Sequence, residues 1–584
     1  MKGIETGSSF IRKNVSTVKV RHCSAGIMAI LLATSLVACG GGGGSSGGGG
    51  NSPSTFSVTS VTPEDGDAGV ELDAILKASF NRDLLASSAT EDSDRILLKK
   101  SSGFWEVPAP VSVSIDTASS LIIQPDTPLD ILSEYIVTVT SDITDNSGHP
   151  LSDEHHWRFV TRDGDWEEEA RIGSGSAPDI AVDVEGNGWA VWLEEGTDNV
   201  DVVGRYYSVT DGAWKQKVAF SHDPNNLTDA SKPRIAMDRN SGDALAVWTL
   251  DGNVYARHWD ADSAPDQSGW STVEKISGSN PAHERTFLEV VFSESNARAV
   301  WIEKDAGSLV LAHNQYWAPN GAWDGPLSGP ELNADFTFAE YADFAADNVG
   351  NALLLWINDQ EPSLPEADNR VYATRYDAQA RSWVSTTAIE NAGVKGRADA
   401  PKVAFDNEGN AFAAWWRSAD DFFGRLYVSR FDADSGAWSG STRIMGAREE
   451  SEGRYPSIAV DQKGNAMVAF ELGEPYAARY NADEGAWGDA RRIGDYGGAP
   501  LTDIVIDHDG NATVVWRTNE GAAYNILSNR YAAVTDSWGT PKRVETGGGG
   551  SAKRPVIDNA GWNHDALSVW EDAGSIYTNR FSAE

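Results

Sequence analysis

Three sets of residues in this chain have types and spacings that could do chemistry. The first is two acidic turns, Asp432-Ala433-Asp434-Ser435-Gly436 and Asp507-His508-Asp509-Gly510. Alternating oxygen donors ahead of a glycine suit calcium, but neither turn has the downstream bidentate Glu or the full ligand set. The same residues make good hairpin turns, so no metal ligand and no cofactor is expected, with calcium the one ion the turns bring to mind. The second set is an arginine series, Arg205, Arg257, Arg375, Arg430, Arg479, Arg530 and Arg580, each followed by an aromatic ring. The third is Asp179, Arg234, Glu289, Asp343, Lys402, Ser457 and Asp503, one in each short apolar run. An eighth member does not align clearly. A Gly44-Ser45-Ser46-Gly47-Gly48 stretch matches a serine-nucleophile turn in form. That turn needs a strand before it and a helix after it, which a glycine run cannot supply.

These residues must be positioned by a repeat. Asp406 to Trp415 reads DNEGNAFAAW, Asp461 to Phe470 reads DQKGNAMVAF, and Asp507 to Trp516 reads DHDGNATVVW. Related copies end at Trp192, Trp248, Trp301, Trp356 and Trp570. The anchors recur about every 54 residues, just above the four-stranded blade periods. Asp opening a turn with Gly three residues on suits a tight hairpin. Leu353-Leu354-Leu355-Trp356 does not alternate, so both faces of its strand are expected to be buried. A second Trp series (Trp214, Trp270, Trp323, Trp383, Trp438, Trp487, Trp538) opens a charged fourth strand, as in Trp487 to Ile493. A sheet with buried inner strands and a polar outer edge resembles a β-propeller blade. The aromatic wealth reads first as core packing between blades, with a sugar-stacking surface as the alternative.

In a propeller the innermost strands line the axis, so the third set would form a mixed-charge ring whose plain role is to solvate a wet tunnel. Sialidases use an arginine cluster on a propeller. Here arginine recurs nearly once per repeat, which suits stacking on Trp or pairing with a turn Asp. The sialidase Asp-box pattern, the zinc-protease HExxH and the phosphate-binding P-loop do not occur. No sialoside hydrolysis is expected, and no catalytic residue is assigned.

The last repeat stops at Phe581-Ser582-Ala583-Glu584 without a Trp-led fourth strand. Trp166 to Ile172 has that pattern and precedes the first repeat. The expected region, residues 165–584, is thus a propeller of eight blades, closed by exchange of strand 166–172 into the final sheet. Repeat three is the weak point, because Ser293-Glu294-Ser295-Asn296 has lost the Asp and Gly of its turn.

Upstream, residues 55–162 lack the repeat. Pro63-Glu64-Asp65-Gly66, Phe80-Asn81-Arg82-Asp83, Tyr135-Ile136-Val137-Thr138-Val139, Asp145-Asn146-Ser147-Gly148 and Trp157-Arg158-Phe159-Val160-Thr161 stand in an order that resembles the bacterial Ig-like domain of the SbsA type. The resemblance implies a β-sandwich serving as spacer or adhesion module. His155 and His156 are neighbours and would face opposite ways on a strand.

Residues 1–38 carry Lys2, Arg12, Lys13, Lys19 and Arg21, then an apolar stretch from Ala25 to Ala38, short for a membrane span. The stretch ends Leu36-Val37-Ala38-Cys39-Gly40, which resembles the lipobox of bacterial lipoproteins. It implies a signal peptide over 1–38, diacylation of Cys39 as the mature N-terminus and, with Gly40 next to it, the outer membrane. Residues 39–54 are a Gly/Ser-rich tether spanning on the order of 20 Å. Cys23 would leave with the leader, so no disulfide is expected.

The chain has a formal net charge of −39, and losing five basic groups and one acid with the leader makes it −43. That field excludes nucleic acid as a partner. The expected protein is all-β: an Ig-like sandwich and a propeller on a lipid anchor, monomeric and non-enzymatic. It would bind polysaccharide or an envelope protein. Two alternatives stay open. One is a carbohydrate-active hydrolase or lyase with rims at Asn358 to Asn369 and Ser221 to Ser231. The other is an envelope-assembly factor.

Overall fold

The computed structural model describes residues 55–582 except 90–94, 103–104, 198, 222–228, 279–283, 294–295, 306–307, 333–341, 359–368, 385, 392–395, 419–423, 445–453, 496–500, 522, 548–549 and 562–563. Cys39, the leader, the tether, most of the two expected rims and the centre of the third repeat's turn lie outside the described residues.

Residues 55–161 form two facing sheets. One runs Val58–Thr62, Leu76–Phe80, Ser120–Pro125, Val111–Thr117 in spatial order; the other runs Asp67–Val70, His155–Thr161, Glu134–Val139, Ile96–Ser102, Trp105–Ala109. Alternation puts Leu76, Ala78, Leu121, Ile123, Val137, Val139, Trp157 and Phe159 into one core. This is an Ig-like sandwich, as the motif order implied.

Eight sheets of one plan come after it among the described residues, seven built from consecutive antiparallel strands and the last completed by strands from residues 165–174. The fourth repeat shows why. Strand Ala352–Asn358 is buried along its whole length. Leu354 and Trp356 join a cluster with Val300, Ile302, Leu309 and Leu311 of the third repeat. Leu353 and Leu355 join Ala411, Ala413 and Trp415 of the fifth. One strand therefore fills two interfaces, which its unalternating apolar run requires. Each buried Trp or Leu contributes ~1.5–3 kcal/mol.

The DxxGN motif is a two-way clamp. Asp406 Oδ1 accepts the backbone N–H groups of Glu408 (2.9 Å) and Asn410 (2.8 Å), and its Oδ2 accepts Asn410 Nδ2 (2.8 Å). Asn410 Oδ1 then accepts the N–H of Ala433 at 3.0 Å, where the third strand turns into the fourth. The same four bonds recur around Asp183–Asn187, Asp347–Asn351, Asp461–Asn465 and Asp507–Asn511. Gly409, at φ 82°, takes the left-handed position that the turn needs. The motif thus ties both hairpins of a sheet together.

The outer strand differs from the continuous Trp487 to Ile493 expected. It forms two pieces, Ala486–Trp487 and Arg491–Arg492. Trp487 pairs with Tyr480 and Arg491 with Ala477, so the outer strand uses one more residue than its partner between these points. An extra residue is easily solvated at an edge and bends the strand.

The two ends of the repeat region meet in one sheet. Asp165–Trp166 pairs with Ser582 and Phe581, and Ala170–Ser174 pairs with Thr578 to Ser575. Trp166 sits against Phe581 at 5.7 Å between ring centroids. That is the place Trp214, Trp323, Trp383, Trp438, Trp487 and Trp538 take against the ring ending their own third strands, at 5.3–5.6 Å. Ile180, Val182, Ala190 and Trp192 of the first repeat share a cluster with Leu567, Val569 and Ile576 of the last.

Candidate functional site

The first strand of several repeats carries a kink that aims one side chain. Ala177, Lys232, Ala400 and Tyr455 adopt left-handed backbones (φ 52°, 53°, 46° and 54°), and each precedes a proline. The pairing register shifts across each of these steps. Proline cannot donate to the ladder, so the strand bulges there and re-aims the next side chain. A left-handed non-glycine residue costs roughly 1–2 kcal/mol, and such strain is concentrated at working surfaces. The residue after each proline is Asp179, Arg234, Lys402 or Ser457, all members of the ring read from the sequence.

Asp179, Arg234, Glu289, Lys402 and Asp503 line one cavity of about 630 Å³ with Lys553, Arg554 and Glu571. Arg234 Nε lies 2.9 Å from Glu289 Oε1, Lys402 Nζ 2.7 Å from Asp343 Oδ1, and Lys553 Nζ 2.6 Å from Glu571 Oε1. The carboxylates have a second task. Asp179 Oδ2 accepts the N–H of Ile235 (3.0 Å), Asp343 Oδ2 that of Val403 (2.8 Å), and Asp503 Oδ2 that of Ile557 (3.1 Å). Each bond joins one repeat to the next, and each lands one residue past that repeat's ring position. Ser457 is buried and reaches Thr502 Oγ1 at 3.2 Å instead.

This geometry resolves the eighth position. It is Val556, preceded by Arg554-Pro555 and paired with Val569 as Asp179 is with Val191. Asp558, two residues on, takes over the bridging task and accepts the N–H of Val182 in the first repeat at 2.8 Å. Sequence reading missed Lys553, Arg554, Asp558 and Glu571. Aligning the prolines Pro178, Pro233, Pro401, Pro456 and Pro555 would have found the first three.

Burial pushes the carboxyl of Asp179 up to about 6, with Arg234 opposing and Glu289 adding to the shift. Burial likewise raises Asp343 and Asp503. Arg234 is held firmly charged by Glu289. A raised acid binds protons more tightly folded than unfolded, so between about pH 4 and 6 its ionisation costs stability as pH rises. Asp179→Asn keeps an acceptor for Ile235 and removes that cost. Its stability relative to the parent chain is therefore expected to improve from pH 4.5 to pH 7.5, read from urea midpoints at the two values. A constant difference would contradict the burial of this charge.

The arginine series is structural in its contacts. Arg375 pairs with Asp377 at 3.2 Å, Arg430 with Asp432 at 3.4 Å, and Arg580 with Asp565 at 2.6 Å. The expected partner ring was Trp. The rings found are Phe412 under Arg430, Tyr531 under Arg479 and Phe581 under Arg530. The anchor Trp residues are buried inside the sheets. In the third repeat Arg298, from the neighbouring strand, covers Tyr376 at 3.7 Å.

The two acidic turns are occupied by their own chain. Asp432 Oδ1 accepts the N–H and hydroxyl of Ser435, and both oxygens of Asp507 serve the clamp. His156 bonds Thr138 Oγ1 at 2.9 Å, while His155 lies beside Trp157. Among the described residues, one group of metal-ligating side chains brings its atoms within 4.8 Å of one another: His508, Asp509 and His564.

With the sandwich and the site in place, comparison separates the two halves of the chain. Residues 53–161 match the bacterial Ig-like domain family. The Ig-like domain is thereby fixed. No curated protein matches the chain. Solved structures similar to it include a puromycin hydrolase, at 14% identity and TM-score 0.39 over 68% of this chain and 59% of that one. A Mycobacterium tuberculosis puromycin-hydrolyzing peptidase is similar at 14% and 0.41, over 70% and 61%. The chain thus spans about three fifths of either hydrolase. Chaetomium thermophilum Sqt1, solved bound to the N-terminus of ribosomal protein L10, is similar at 10% and 0.44 over 72% and 100%. Likenesses this distant carry no functional argument.

Proposed function

We propose that this chain is a lipid-anchored binding protein of the bacterial outer membrane, in which the Ig-like domain carries a closed eight-bladed propeller. Eight sheets of one plan and the pairing of residues 165–174 with the last of them support the blade count and the closure. The lipobox at Cys39 supports the anchor, and the tether gives the folded part reach from the membrane. The chain works as a monomer.

The observation that carries the binding reading is the cavity lined by both signs of charge. Its cations already face carboxylates, so it presents fixed donors and acceptors to a ligand. Such a wall suits hydroxyl-rich or zwitterionic groups, as in an envelope polysaccharide, and repels an apolar molecule. The pairing of Arg234, Lys402 and Lys553 also argues for recognition over chemistry, because cations locked in partners make poor proton carriers.

The test is a polysaccharide array read for both retention and product release, on the parent chain and on Arg234→Met. Retention without product, weakened at least tenfold in the variant, is expected. Product release would establish the enzyme alternative. Retention that ignores Arg234 would move the site elsewhere, and no retention at all would point to a protein partner.

A further inference from the structure

The turn of the last repeat departs from the DxxGN pattern. In the five DxxGN turns the N–H of the turn's first residue and the carbonyl of its last close four residues apart, as in Asp507 to Asn511 at 2.9 Å. In the last repeat the same closure joins Ala560 to Asp565 at 2.9 Å, with one residue more. The extra length is accompanied by a left-handed His564 at φ 64°. In earlier repeats the turn glycine approaches the preceding turn's aspartate: a Cβ on Gly464 would lie 3.4 Å from Asp406 Oδ2, and one on Gly510 3.0 Å from Asp461 Oδ2. Here a histidine side chain takes that approach instead. His564 Nδ1 lies 2.7 Å from Asp507 Oδ2.

That bond decides the orientation of the ring. Asp507 accepts, so Nδ1 of His564 carries the hydrogen and Nε2 presents its lone pair. His508 is set in the same way, because its Nδ1 lies 3.1 Å from the carbonyl of Gly561, which can only accept. Both Nε2 atoms face Asp509, His508 Nε2 at 3.4 Å from Oδ1 and His564 Nε2 at 3.4 Å from Oδ2. His564 is 5% exposed, and its Nε2 is buried without a hydrogen-bond partner. The unpartnered Nε2 of His564 thus converges with His508 Nε2 and the Asp509 carboxylate in a partly buried site, where a metal ion would supply a partner that Lys100, bonded to Asp509 Oδ2, does not give it. A tetrahedral zinc ion with ligands at ~2.0–2.1 Å places those ligands ~3.3–3.4 Å apart. Nδ1–H groups held by a carboxylate and a carbonyl are the usual outer support of metal-bound imidazoles.

We propose that His508 Nε2, His564 Nε2 and the Asp509 carboxylate bind one divalent transition-metal ion of the zinc class. Two imidazoles and one carboxylate favour zinc over calcium, whose ligands are all oxygen. The site also joins the two folded parts. Lys100, from the sandwich strand Ile96–Ser102, bonds Asp509 Oδ2 at 2.7 Å and Asp130 Oδ2 at 2.8 Å. An ion on Asp509 would share that carboxylate with Lys100 and so bear on the Ig-like domain's seat against the seventh and eighth repeats.

The test uses the full mature chain, stripped with chelator and titrated calorimetrically with zinc chloride alone. One site per chain is expected. His508→Ala and His564→Asn should each weaken it at least tenfold, the asparagine keeping a residue tolerant of the left-handed backbone. His155→Ala should leave it unchanged. Cobalt should give a visible ligand-field absorption in the parent that both variants lose. Asp509→Asn, on a half-buried turn, serves as a third variant should His564→Asn fail to fold. Zinc should raise the melting temperature of the parent and leave that of the variants unmoved. No uptake by the parent would overturn the proposal and leave Asp509 to its bond with Lys100. Uptake that all the variants retain would overturn it as well.

Discussion

Deleting residues 165–174 is expected to lower the melting temperature of the entire repeat region by roughly 5–10 °C. Those residues supply the outer strands of the last sheet and cover its third strand, Ser575–Ser582. Beyond the ladder, Asn579 Nδ2 donates to the carbonyl of Glu167 at 2.8 Å, and Arg580 pairs with Glu167 at 2.7 Å. Ile172 is buried, and Trp166 is half-buried against Phe581. Losing two such side chains and exposing their neighbours removes about 5 kcal/mol, at ~1.5–3 kcal/mol for each side chain buried. The loss spreads because the last sheet packs on both the seventh and the first. Val515 and Ile526 cluster with Trp570 and Phe581 on one side, and Val182 and Trp192 with Leu567 and Ile576 on the other. Fusing the same ten residues after the C-terminus should restore the melting temperature, since every other sheet has its outer strand in that order. A deletion that melts only locally, or a fusion that restores nothing, would contradict closure by shared strands.

Cys39→Ala is expected to move the protein from the membrane fraction to the soluble fraction almost completely. One acyl chain binds a membrane only marginally, whereas the several chains of a mature lipoprotein anchor it firmly. The folded part offers little to replace them, since its net negative charge opposes anionic lipid. Metabolic labelling with a fatty acid should mark the parent and not the variant. A variant that stays labelled and membrane-bound would remove the anchor from the proposal.

Most of the fold was legible because its signals are local. Asp406, Gly409 and Asn410 lie within five residues, and their turn can be read without knowing what surrounds it. The unalternating Leu353 to Trp356 run announced a strand buried on both faces, and the structure supplies those faces from the third and fifth repeats. Trp166 could be assigned to the last sheet because its pattern matches Trp487 and its absence at the other end was visible. The ring residues were found for the same reason, one per strand at a fixed distance before the Asp turn.

What escaped depends on departures from the pattern. Val556 is apolar where the other repeats carry a charged or polar residue, and Asp558 does the bridging two residues later, so polarity alone misaligned the eighth repeat. The histidine site was hidden because His564 comes after an inserted residue and meets His508 only across two adjacent turns. In sequence, Asp507-His508-Asp509-Gly510 looked like an oxygen-ligand loop. In space Asp507 is spent on its own turn and on orienting His564, and the neighbouring His508 and Asp509 are the ones that converge. The break in the outer strand after Trp487 has no sequence mark beyond Gly488, whose N–H still bonds Arg479 at 2.8 Å.

Hydrogen exchange read peptide by peptide on the full mature chain tests most directly whether the two ends of the repeat region form one sheet. Amides paired between Ala170–Ser174 and Ser575–Thr578 should exchange as slowly as those of an internal outer pair, such as Tyr476–Ala477 with Arg491–Arg492. Removing residues 165–174 should then speed exchange throughout 575–582 and along Ser176–Val182. Fast exchange over 165–174 in the intact chain, with 575–582 still protected, would show these residues to be a free linker and the ring to be closed, if at all, by other means.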